Sequence, residues 1–119
     1  MGHIRKRPQF LHNKLFAIRE FLNASQVDMA NKLESEILAY STRHYLIKPG
    51  RTSEYEHGRR EPNLFVLMAY ARLAKLHLET LVNDEINLET FRSRLGNEID
   101  YSKLSRRRKN KTTNLEEHK

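Results

Sequence analysis

Residues 18–33 read IREFLNASQVDMANKL, and residues 51–62 read RTSEYEHGRREP. The first stretch closes one helix and opens another. Leu15, Ile18 and Leu22 recur at three- and four-residue spacing and predict a helix over about Asn13–Leu22. Ser25 then opens the next helix. Its hydroxyl suits the amide of Asp28, and the Asp28 carboxylate can answer in the manner of a capping box. Met29, Ala30, Leu33 and Ile37 form one apolar face behind it. Only Asn23 and Ala24 join the two helices. So short a join makes them cross steeply rather than run back along each other.

Outward from that pair, residues 38–47 are apolar in places but follow no period, and Pro49-Gly50 breaks whatever precedes it. A short third helix is expected from about Arg51 to His57, ended by Gly58 as a left-handed terminus. Pro62 blocks its continuation. Asn63 can cap a fourth helix through about Lys75, with Leu64, Leu67, Met68, Ala71 and Ala74 inward, and a fifth runs from about Leu78 to Val82. Residues 89–95 add a loose turn or two. Beyond Gly96 the polar run SRRRKNKTTN predicts a disordered tail. The fold class is therefore all-α, with a basic arm at 1–12, a helical domain at 13–88 and a basic tail at 89–119.

Composition narrows the function. The chain has 119 residues and no cysteine, which excludes disulfide scaffolds, thiolate chemistry and cysteine-ligated zinc. No apolar run is long enough to span a bilayer. The first residues lack the hydrophobic region of a secretory leader, so a cytoplasmic, nucleoid-associated protein is expected. The net charge is +7, with +3 in residues 1–12, zero in 13–88 and +4 in 89–119. Positive arms around a balanced middle suit a polyanionic partner. The alternative is that they only confer solubility.

Catalysis is not expected. The six histidines show no metal-binding spacing, the four glycines form no phosphate loop, and no serine lies in a nucleophile elbow. No cofactor or metal is implied.

Taken jointly, Arg19, Ser25-Gln26, Ala30, Tyr55-Glu56, Gly58 and Pro62 resemble the Cro/phage-repressor helix-turn-helix family, also called XRE, over residues 13–88. That resemblance implies a five-helix, lambda-repressor-like DNA-binding domain, usually a homodimer that regulates transcription, most often as a repressor. It implies that Gln26 anchors the second helix on the DNA backbone beside Ser25, and that Lys48, Gly50, Arg51 and Glu54 lie at or near the bases. Arg19 and Glu56 match a charged pair tying the first helix to the third. Thr52 matches a position often filled by a core residue.

The chemistry agrees with those placements. Arg51 can donate twice to guanine, Glu54 can accept from cytosine, and Thr52 and Ser53 can touch a thymine methyl. Arg59 and Arg60 in the following turn suit phosphates. Phe65, Tyr70 and Leu78 are candidates for a partly exposed homodimer surface. The departure from the family pattern is the connection before the third helix, longer by roughly a dozen residues. It reads either as an excursion packing Tyr45 and Ile47 on the core or as an added DNA-contacting wing using Arg43, His44 and Lys48. Two other functions stay open. One is an antitoxin whose tail wraps a toxin protein; the other is a protein-interaction adaptor that has lost DNA binding.

Overall fold

The computed structural model describes residues 8–41 and 45–103. Among these residues the chain is all-helical, with six α-helices and no strand. They are α1 (Leu11–Leu22), α2 (Gln26–Tyr40), α3 (Arg51–Glu56), α4 (Leu64–Leu73), α5 (Leu78–Val82) and α6 (Leu88–Arg94), followed by a 3-10 turn at Tyr101–Lys103. No described helix is long and apolar enough to cross a membrane.

The tight α1–α2 join forms as expected. Asn23 takes the left-handed conformation at φ 55°. Its amide and that of Ala24 return to the Glu20 and Arg19 carbonyls, satisfying the end of α1. The Ser25 hydroxyl accepts from the Asp28 amide at 3.0 Å and starts α2. This helix runs through Tyr40, beyond the expected apolar face. Its last turns bury Glu36, whose carboxylate accepts from Arg72 Nε at 3.1 Å. The same guanidinium lies 4.1 Å over the Tyr40 ring.

The long connection after α2 folds back on it. Ile47 is buried and its amide donates to the Glu34 carboxylate at 2.6 Å, while Asn63 Nδ2 donates to the Tyr45 hydroxyl at 2.7 Å. Of the two readings for this segment, packing on the core holds for Tyr45 and Ile47. Arg43 and His44 lie outside the described residues. The connection ends in a turn closed by Arg51 N–H to the Lys48 carbonyl at 3.1 Å. Gly50 sits at φ 85° and ψ −12°, the third position of a type II turn, behind Pro49 at the second.

Helix α4 and its end meet the expected face in part, since Leu67, Ala71 and Ala74 are buried as expected. Val66, Leu67, Ala69, Tyr70 and Ala71 are buried, whereas Leu64 and Met68 are exposed. Tyr70, expected at an exposed homodimer surface, is completely buried instead, because its face is the one covered by the rest of the core. Phe65 is exposed and Leu78 half-buried.

Residues 89–103 correct the expectation of a tail. Helix α6 is capped by Asn87 and buries Phe91 completely in the core. Gly96 N–H then donates to the Ala74 carbonyl, and the amides of Glu98 and Ile99 to that of Lys75. The Tyr101 hydroxyl reaches the Leu76 carbonyl at 2.9 Å. Glu98 turns its carboxylate onto the start of α5, accepting from His77 N–H at 3.0 Å and from the Thr80 hydroxyl at 2.7 Å. The folded body thus continues past residue 88, since the core needs Phe91 and the end of α4 needs these partners. The basic run from 104 onward lies outside the described residues.

Gly96 tests this extension. It holds φ 79°, and a Cβ there would stand 2.8 Å from Phe21 Cζ. Gly96→Ala should lower stability by more than about 1 kcal/mol in urea denaturation. A change under about 0.5 kcal/mol would detach residues 88–103 from the cooperative unit.

Candidate nucleic-acid interface

Helix α3 has only six residues and cannot hold itself together in water. It is fixed by one face. Thr52 (3% exposed), Tyr55 and Glu56 point inward between α1 and α2. Thr52, expected either to touch DNA or to serve the core, is packed inward, with a small part of it at the floor of the groove between α2 and α3.

Glu56 is the anchor. Arg19 Nε and Nη2 donate to its two carboxylate oxygens at 2.6 and 3.1 Å, a bidentate pair across α1 and α3. The Glu56 side chain is 3% exposed and that of Arg19 is 19% exposed. Arg19 Nη1 also donates to the Ala24 carbonyl in the α1–α2 join, at 3.0 Å. Hydrogen bonding to Glu56 holds the guanidinium charged even more firmly than usual. Gln26 Nε2 donates to Glu56 Oε1 at 3.4 Å, so its side chain ties α2 to α3. Tyr70 lies in this neighbourhood, and its buried hydroxyl has no hydrogen-bond partner among the described residues. Burial, with Glu56 nearby, pushes that phenol far above its ordinary range.

The outward face of α3 carries the remaining candidates. Arg51 Nη1 and Arg60 Nε both donate to Glu54 Oε1, at 2.9 and 3.0 Å. The Arg51 and Arg60 hydrogen bonds hold the Glu54 carboxyl below the usual carboxylate range. Gly58 (φ 73°) ends the helix as expected, and the amides of Arg59 and Arg60 return to the Glu54 carbonyl. Arg59 and Arg60 are both exposed in that turn.

A shallow groove of about 270 Å³ separates α2 from the start of α3. Gln26, Val27, Lys48, Gly50, Thr52 and Ser53 are among the residues that line it, so the structure gathers five of the expected contact residues there. Ser25 stands at the same end of α2 but its hydroxyl is used as the cap. A Cβ at Gly50 would meet nothing within 4 Å, which leaves this backbone open to close approach.

Two residues escaped the sequence reading. Val27 is 70% exposed beside Gln26. His57, read there only as the end of the third helix and as one of six histidines without metal-binding spacing, places Nδ1 2.8 Å from the Ser53 carbonyl at the end of α3. The first was hidden because an exposed valine within an amphipathic helix reads as core. The second has a signal in its i, i+4 spacing from Ser53.

Among the described residues no group of three or more His, Asp or Glu is placed to hold a metal ion. No family model, curated protein or solved structure matches the chain.

The anchor predicts two opposite outcomes. Arg19→Ala should cost about 3–5 kcal/mol, because Glu56 would stay desolvated without its partner; a shift below about 1 kcal/mol would mean that solvent reaches the pair. Tyr70→Phe, which removes only the orphaned hydroxyl, should raise stability by about 1 kcal/mol or leave it unchanged. Both are read from urea midpoints, and a comparable loss in Tyr70→Phe would reveal a partner for that hydroxyl.

Proposed function

We propose that this chain binds double-stranded DNA sequence-specifically and regulates transcription, with α3 laid in the major groove. The observation that carries the reading is the two-sidedness of α3. Thr52, Tyr55 and Glu56 fix it from within, while Arg51, Ser53 and Glu54 face outward between cationic turns at Lys48 and Arg59-Arg60. Six residues rise about 9 Å, a length that fits a major groove about 12 Å wide.

The roles follow from donor chemistry. Arg51 reads guanine, and Gly50 and Ser53 allow close approach to neighbouring base edges. Lys48, Arg59, Arg60 and the first amides of α2 behind Ser25 and Gln26 meet phosphates and set the register. The short α1–α2 join and the Arg19–Glu56 pair support the finer fold, a lambda-repressor-like helix-turn-helix body with α6 appended.

Self-association as a homodimer would use the apolar side chains left exposed on α4, namely Leu64, Phe65 and Met68. Two copies then present α3 about 34 Å apart and require a roughly palindromic site. Occupying such a site blocks it to other proteins, which makes repression the simplest outcome.

Selection of bound duplexes from a random pool, followed by a salt titration on the winner, tests the reading. Affinity should fall by about 0.9 log units per log salt for each neutralised phosphate. Arg51→Ala should lose about 1–3 kcal/mol at one base pair and relax the choice there. An equal loss on every sequence would make Arg51 a phosphate contact. No enrichment, with no salt-dependent affinity, would overturn the function.

A further inference from the structure

The carboxylate of Glu54 occupies an unusual place on α3. One of its oxygens accepts from two arginines, Arg51 at 2.9 Å and Arg60 at 3.0 Å. Its backbone carbonyl accepts from the amides of Arg59 at 2.9 Å and Arg60 at 3.4 Å, and its amide donates to the Gly50 carbonyl at 3.1 Å. One residue therefore joins the turn before α3, the first residue of the helix and the turn after it. Exposed ion pairs of this kind add little to folding stability, and the Glu54 side chain is 37% exposed. Stability does not account for the arrangement.

Geometry does. The Arg51 guanidinium meets Glu54 through Nη1. That leaves Nε and Nη2, the parallel donor pair whose spacing suits a bidentate acceptor. Arg19 uses this same edge on Glu56. Arg60 does the reverse, meeting Glu54 through Nε, which leaves its Nη pair. Each arginine keeps a donor pair that can match guanine O6 and N7 or a phosphate; Arg51 carries its pair on the first residue of α3, and Arg60 carries its own in the exposed turn beyond the helix.

We infer that Glu54 is a positioning residue for DNA recognition rather than a reader of cytosine. It orients Arg51 toward one base and Arg60 toward the backbone, and its negative charge restrains both arginines from binding phosphate indiscriminately. The inference rests on the DNA-binding reading above. It makes Glu54 a determinant of selectivity that acts through Arg51 and Arg60 without touching the duplex.

The test compares wild type, Glu54→Gln, Arg51→Ala and the double variant on the selected duplex and on a scrambled one, each across a salt series. Glu54→Gln should bind the scrambled duplex more tightly and with a slope steeper by about 0.9, one further phosphate neutralised. Its preference for the selected duplex should fall about tenfold. In the Arg51→Ala background the substitution should no longer alter preference, since the arginine that reads the base is gone and Arg60 meets only the backbone. The melting temperature of Glu54→Gln should stay within about 5 °C of wild type, so altered folding does not explain the result.

A loss of discrimination confined to one base pair, with an unchanged slope and persisting without Arg51, would overturn the inference and restore Glu54 as a base reader. Identical behaviour of Glu54→Gln and wild type on both duplexes would also overturn it while leaving DNA binding intact. Wild type that binds neither duplex would remove the DNA-binding reading and this inference with it.

Discussion

A single guanidinium, that of Arg19, holds three parts of this protein in register. It meets both oxygens of Glu56 on α3 and the carbonyl of Ala24 between α1 and α2. Gln26 adds the start of α2 to the same carboxylate. The pair is mostly withdrawn from water, so it stabilises only when complete; either half alone is a desolvated charge. That constraint matters because α3 is too short to persist by its own hydrogen bonds. Its outward face is presented at a fixed angle because its inward face has no alternative partner.

The same economy recurs wherever the backbone leaves a helix. Asp84, between α5 and α6, accepts from the amides of Gln9 and Phe10 ahead of α1. Glu98 serves the start of α5, and Glu34 the amide of Ile47. Each carboxylate meets amides that their own helix or loop cannot satisfy. Lys14 makes the converse contact from within the core, donating to the Asn83 carbonyl at 2.8 Å with its ammonium 5.5 Å from the Phe91 ring centre. Burial lowers its basicity and Asp84 opposes that shift. These long-range polar contacts lock α1 to the α5–α6 region, much as Arg72 with Glu36 locks α4 to α2.

On the outer surface the balance of charge is local. Lys48, Arg59 and Arg60 are exposed around α3, but Glu54 shares one oxygen between Arg51 and Arg60. A polyanion would therefore meet a patterned surface rather than a uniform cationic one. The proposed division between reading bases and gripping phosphates follows from where each guanidinium stands, Arg51 on α3 and Arg60 in the turn after it.

Much of the skeleton was legible in the residues themselves. Local rules place the caps at Ser25 and Asn63, the left-handed stop at Gly58, the turn at Pro49-Gly50 and the starts of α2, α3 and α5, because each depends on neighbours a few positions away. The Arg19–Glu56 pair was reached only through a family resemblance, since nothing local links residues so far apart. The rest was decided by the tertiary fold. Periodicity gave only part of the buried side of α4: Leu67, Ala71 and Ala74 are inside, but Leu64 and Met68 are as apolar as Val66 and Tyr70, which take the core. Nor could it carry α2 to Tyr40, where a buried Glu36 breaks the pattern and is matched by Arg72 from another helix. Thr52 and Lys14 look polar and are inside. Glu54 looks like a free acceptor and is already taken by two arginines. Sequence specifies what each side chain can bond; only the packing of distant helices determines which partner arrives.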